Sequence, residues 1–388
     1  MEWYIIMAGD EKPKNRWRML AGIAGSIISL AVLTYIAIAL ISGNGLNMSW
    51  FTGMFSKRAP VEYANEYHFD VGRDRVFTSL GDSLAAAGTL GIQVLDAGGA
   101  ETLKVPFRMS VPAIYAQGSQ AIAFDIGGTA LRVFDDASII TSVESNSAII
   151  AASINKNGWF CVCVQEGGGY KGAVTVYNSK GSEVYRARLV SGYVLSAVLS
   201  PDNKSLAVLN LTDEGSRITF YSLNSETPER MFDLPGGLII DIRYMPGNSL
   251  LVVSTDSLIL LDKNGTDKEL FNYSGGLLGK YTTGGGLIAL HILDYGVGYS
   301  GRLVALGEDG KLLGEIDTDR EIVSMSACGE FLAVLRSDGL FLYDPRLDSL
   351  PPSKGSGSTA GAAYVLALEG GAVLAAGDNS AVVMRVES

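Results

Sequence analysis

The chain reads as an all-β protein, an eight-bladed β-propeller, preceded by one N-terminal transmembrane α-helix. Three observations predict this. Residues 19–42 carry no charge, a four-strand pattern recurs from residue 72 at steps of 36 to 45 residues, and nothing after residue 42 has a helical period.

The elements follow in chain order. Residues 1–18 are a short basic segment in which Lys12, Lys14, Arg16 and Arg18 crowd the entrance to the apolar run. The run itself, MLAGIAGSIISLAVLTYIAIALIS, would be roughly 36 Å long as a helix, enough to cross a hydrocarbon core of roughly 30 Å with some tilt. Within lipid an isolated span must satisfy its own backbone hydrogen bonds, so a helix is expected. Lys57 and Arg58 lie well beyond its exit, so the excess of bases before the span places the N-terminus in the cytoplasm and the rest of the chain outside. Ala37-Ile38-Ala39 has the small-x-small spacing of a cleavage site, but signal h-regions run roughly 7–15 residues, so an uncleaved anchor is expected. Gly22/Ser26 and Gly25/Ser29 are small pairs that would let two such helices approach. Residues 43–62 read as a juxtamembrane linker, with Trp50, Phe51 and Phe55 suited to the headgroup level.

Residues 63–388 hold the repeat. A polar turn followed by a very apolar strand occurs as LGDSLAAAG, QGSQAIAF, KNGWFCVCV, PDNKSLAVL, PGNSLLVVS, GGGLIALHI, CGEFLAVLR and EGGAVLAAG. The next strand alternates and ends in Asp or Asn, as in AVTVYNSKG and SLILLDKNG. Strands apolar on both faces suit positions sandwiched between blades, and alternating ones suit the rim. The last repeat has room for only three strands, so the segment 67–71 is expected to supply its fourth and close the ring. That gives eight blades, with seven as the alternative count.

Composition excludes several classes of function. The first 18 residues hold four bases and three acids, so with −11 over the whole chain the remainder carries −12. Such a surface opposes nucleic acid and anionic headgroups. Three cysteines make no disulfide framework, and Cys161 and Cys163 alternate with valines as buried thiols would. With His68 and His291 the only histidines, no metal site is expected. Paired acids such as Asp135-Asp136 and Glu308-Asp309 fall at strand ends, where turn acids belong. The glycine runs 167–169 and 284–286 do not open helices, so no phosphate cradle is expected.

The repeats resemble the WD-repeat-like and quinoprotein-like propellers, although no blade has the Trp-Asp ending or Gly-His opening of true WD repeats. Over residues 15–388 the chain resembles a family of membrane-anchored propellers from Gram-positive anaerobic bacteria, which implies a bacterial plasma membrane and carries no activity. Quinoprotein dehydrogenases use adjacent cysteines and tryptophan docking motifs; here Val162 separates Cys161 from Cys163, and Trp159 alone of the four tryptophans lies in the repeats. No enzyme activity and no cofactor is therefore expected.

The loops joining second and third strands vary most. They are longest in QEGGGYKG (165–172), LTDEGSR (211–217) and LDYGVGYSG (293–301), which all open on one face. Tyr170, Lys171, Asp213, Glu214, Tyr295 and Tyr299, with Tyr193 on a nearby connection, are the candidate binding residues, tyrosine being favoured at interfaces. The expectation is a non-catalytic, membrane-tethered platform for an unknown protein or cell-envelope partner. The alternative is a small-ligand sensor or an accessory subunit of a membrane enzyme system.

Overall fold

The computed structural model describes residues 63–296, 298–329, 331–351, 359–368 and 371–385. The expected cytoplasmic segment 1–18, span 19–42 and linker 43–62 lie outside them. Among the described residues no helix is long and apolar enough to cross a membrane.

Thirty-two strands form eight antiparallel sheets of four among the described residues, and each sheet is one blade of a propeller. Blades 1 to 7 take consecutive strands over 76–106, 112–144, 149–189, 193–235, 239–272, 277–318 and 322–350. Blade 8 is composite. Its order is Glu66–His68, Ser380–Arg385, Ala372–Ala376, Tyr364–Leu368, so an N-terminal strand closes the last sheet.

The second strands are the most buried, as their two apolar faces require. Ser83–Gly88, Phe160–Val164, Leu250–Ser254 and Ala372–Ala376 are buried at every position. The core is correspondingly divided into eight clusters, each drawn from two neighbouring sheets, and the cluster joining Tyr67, Phe69, Phe77, Leu374 and Val383 spans blades 8 and 1. Stability is thus shared around the ring, every sheet needing both neighbours to bury its faces.

Turn chemistry explains the acidic strand ends. The Asp262 carboxylate accepts from the backbone N–H of Asn264 and Thr266, both at 2.8 Å, and Asp344 caps its turn through Arg346 and Asp348 at 2.8 and 2.9 Å. Asp135 does the same for Ala137 and Ser138 at 3.0 and 2.7 Å, so the acid pair there is turn-forming.

The closing strand is shorter than 67–71. Tyr67 pairs with Ala381 and His68 with Ser380, and after one further bond from Phe69 N–H to the Asn379 carbonyl (3.1 Å) the chain leaves the ladder. Phe69 instead packs edge-on to Phe77 at 5.0 Å, and the Val71 carbonyl accepts from Leu90. Gly72 makes this departure possible: its φ is +89°, and a Cβ there would stand 2.5 Å from the Thr89 hydroxyl.

Candidate functional site

The long loops sit where second and third strands join, on the same face as the connections between blades. In blade 3 the loop folds back over its own outer strand, Glu183–Leu189. Glu166 accepts from Arg188 Nε at 3.0 Å and from Arg186 at 3.2 Å, which fixes the base of the loop. The Arg188 guanidinium lies 5.5 Å from the centre of the Tyr170 ring. Lys171 reaches the other way and places its ammonium 5.3 Å from the ring of Tyr193, the first residue of the inner strand Tyr193–Leu199. Cation–π contacts of this kind order long side chains at a surface.

Asp213 and Glu214 form the tip of the adjacent hairpin in blade 4, where Tyr193 pairs with Leu211. That tip is tied by the Thr212 hydroxyl donating to the Gly215 carbonyl at 2.9 Å, and by Gly236 N–H donating to the Glu214 carbonyl at 2.8 Å. Five of the candidate residues (Tyr170, Lys171, Tyr193, Asp213 and Glu214) therefore meet at one corner between blades 3 and 4. Tyr193 is 60% exposed there, too much for a core role. Tyr295 and Tyr299 belong to blade 6, two blades further round; both are exposed, and no contact joins them to the corner among the described residues.

A second site lies in the central channel, and the sequence reading did not name it. The inner strands of blades 2 to 6 enclose a cavity of about 530 Å³ that extends from mid-strand to Lys156, Pro201 and Met245 in the turns on the opposite face. Most inner strands present small or apolar side chains, such as IIAASI and YVLSAVL, whereas Ile239–Tyr244 (IIDIRY) carries two charges. A register shift between Ile239 and Asp241 sets this strand, and the two-residue period then puts Asp241 and Arg243 on one side. In blade 6, Leu277–Gly284 turns Tyr281 and Thr283 toward them.

The four side chains form one network. Arg243 Nε donates to Asp241 Oδ2 at 2.9 Å, Arg243 Nη1 donates to the Thr283 hydroxyl at 3.2 Å, and the Tyr281 hydroxyl donates to the same Asp241 Oδ2. Tyr115 enters from blade 2 and is 52% exposed to the channel. Burial works against the charge on Arg243, but Asp241 and Tyr281 outweigh it and hold the guanidinium above its ordinary range. Burial first, and then the Asp241 carboxylate, push the hydroxyls of Tyr281 and Tyr115 upward. All three groups keep their protons at neutral pH and act as donors. The one signal available in the sequence was an Asp–Arg pair at i, i+2 in an inner strand, where the other inner strands carry at most the single charge of Lys280.

The cysteines belong to the packing. Cys161 and Cys163 are fully buried, and Cys161 Sγ stands 3.2 Å from the Ser153 hydroxyl. Burial pushes the Cys161 thiol up to about 11, the Ser153 hydrogen bonds opposing it. Among the described residues no group of three or more His, Cys, Asp and Glu is placed to hold a metal ion.

The family of unknown function DUF5711 matches residues 57–344. The chain belongs to that family. No curated protein matches this DUF5711 chain. Among solved structures it is similar to the C-terminal WD40 domain of Sif2, at 15% identity and a TM-score of 0.57, covering 79% of this chain and 93% of that one. It is also similar to the hydrazine synthase of Kuenenia stuttgartiensis, at 13% identity and a TM-score of 0.49, covering 76% and 99%. A further match is the β-propeller domain of Myceliophteria thermophila Cps50 (Swd1), at 13% and 0.46, covering 70% and 93%. At these identities the likeness is one of fold.

Proposed function

We propose that this DUF5711 chain is a membrane-tethered binding platform: a rigid, non-catalytic propeller held outside a bacterial cell by the span 19–42, capturing a protein or cell-envelope partner on its loop face. The observation that carries this reading is the corner between blades 3 and 4. There Tyr170 and Tyr193, each under a cation, stand exposed on a base fixed by the Glu166 ion pairs. Exposed aromatics with ordered rotamers bring contact area at low entropic cost, and a propeller supplies the stiff support. The bases before the span support the orientation.

Crosslinking in the native membrane, followed by mass spectrometry of what copurifies, tests the reading. Tyr170→Ala and Tyr193→Ala should each weaken capture of the partner, with hot-spot losses on the order of 2 kcal/mol. Recovery of the same partners at the same yield by the double variant would remove the corner from the proposal. A second reading, a small-ligand sensor or an accessory subunit of a membrane enzyme system, is favoured by a different observation, the polar network in the channel.

A further inference from the structure

The channel network offers two unused positions side by side. Asp241 Oδ2 takes both of the hydrogen bonds given to that carboxylate, so Oδ1 has no partner among the described residues. Arg243 spends Nε and Nη1 on Asp241 and Thr283, which leaves the Nη2 edge without one. An acceptor and a donor thus remain on two residues that line the cavity and are held to each other by their own ion pair. Across the channel the Tyr115 hydroxyl also makes no hydrogen bond among the described residues. One further hydroxyl on a residue that lines the cavity, Ser196 Oγ, is buried without a partner among the described residues. Buried hydroxyls are ordinarily satisfied, so an occupant that brings oxygens suits this wall better than an apolar one.

Charge selects among occupants. An anion would meet Arg243 but also the carboxylate beside it, and a cation would meet the reverse. A purely apolar molecule would strip water from the ion pair and give nothing back. A hydroxyl is both donor and acceptor, and two on neighbouring carbons can give to Oδ1 and take from Nη2 at once. Tyr115 and Tyr281 bring aromatic carbon to the same cavity lining, which suits the C–H surface of such a molecule.

We propose that the channel binds a saccharide, a neutral ligand whose vicinal hydroxyls bridge the Asp241 carboxylate and the Arg243 guanidinium while Tyr115 donates from the opposite wall. This rests on the small-ligand reading and names its substrate class. It is independent of the loop face.

Titration calorimetry on the full chain in a sugar-free detergent tests it, with maltose, cellobiose and di-N-acetylchitobiose against succinate and inorganic phosphate. At least one disaccharide should bind saturably. Tyr115→Phe should weaken that binding about ten-fold with an unchanged melting temperature, because its hydroxyl supports nothing in the protein itself. Asp241→Asn should abolish it, and Tyr170→Ala should leave it intact. Should Asp241→Asn fail to fold, the Tyr115 variant alone decides. Disaccharide binding indifferent to Tyr115→Phe would put the sugar elsewhere and overturn the proposal. Binding of succinate or phosphate alone, lost in Arg243→Gln, would overturn the saccharide class and keep the small-ligand reading. Silence with all five probes would overturn both.

Discussion

The hydroxyl of Tyr67, on the strand that enters the propeller first, donates to the carbonyl of Ala97 at 2.8 Å and so ties the composite blade 8 to the outer hairpin of blade 1. Ala64 N–H reaches the same carbonyl at 2.7 Å, and Arg75 crosses the seam to Asp378 at 3.0 Å. The seam is a structural joint made by both ends of the propeller, and it is the place where the ring can be opened most cleanly.

A chain beginning at Arg73 should therefore melt well below one beginning at residue 60, and should aggregate. It loses the three-residue ladder and the buried Tyr67 and Phe69. Hydrogen bonds are worth about 0.5–1.5 kcal/mol each and a buried aromatic about 3–5 kcal/mol, against a total stability of about 5–15 kcal/mol. Tyr67→Phe, which keeps the packing, should cost only about 1 kcal/mol. Thermal melts of the three chains check this, and equal stability of the two truncations would place the closure elsewhere.

His291 should make the propeller acid-sensitive. It is 3% exposed in blade 6, with its ring 3.3 Å from the Thr318 hydroxyl. Burial, and then Lys280, lower its pKa from 6.5 to about 4. Between those values the unfolded chain takes up a proton that the folded chain refuses, so stability is complete above pH 6.5 and falls as the pH drops toward 4. From pH 6.5 to 5 the loss should be about 2 kcal/mol, and His291→Gln should remove that slope. Denaturant midpoints at several pH values measure it; parallel curves for the two proteins would contradict the assignment.

Cys161 and Cys163 should resist alkylation in the folded protein. Both are fully buried and burial raises both thiols, so little thiolate forms near neutral pH and none of it is reachable. Iodoacetamide labelling followed by mass spectrometry should find them modified only after denaturant is added. Rapid labelling in buffer would mean that blades 3 and 4 separate readily.

The proposed orientation, argued from the bases before residue 19, predicts that protease added to intact protoplasts digests or releases the propeller. Protection in sealed cells, with digestion only after lysis, would reverse the topology.

Much of this fold is written locally. Alternation in AVTVYNSKG, the apolar run FCVCV and the Asn178 and Asp262 turns are each decided within a few residues, so strand types and their order could be read directly. The blade count followed from the same units, since a three-strand final repeat leaves an edge that the N-terminal segment can fill. The loop corner was half legible: its residues lie in long loops, but the approach of Lys171 to Tyr193 is made by the return of the outer strand and the start of the next blade. The precise end of the closing strand was not legible, because Gly72 and the packing of Phe69 on Phe77 compete with the ladder for the same residues.

By itself the sequence determined the strands, the turns, the period and the eight-fold count, because each depends on side-chain alternation and turn residues in short windows. Only the tertiary structure decided what the channel contains. Tyr281 meets Asp241 from 40 residues away, and Tyr115 lines the same cavity from three blades away from Asp241 and four from Tyr281. Those meetings depend on the register shifts at Asp241 and Lys280 and on the curvature that brings the inner strands into a ring. Neither leaves a trace in local pattern, since a bulge moves a side chain without changing the residues around it.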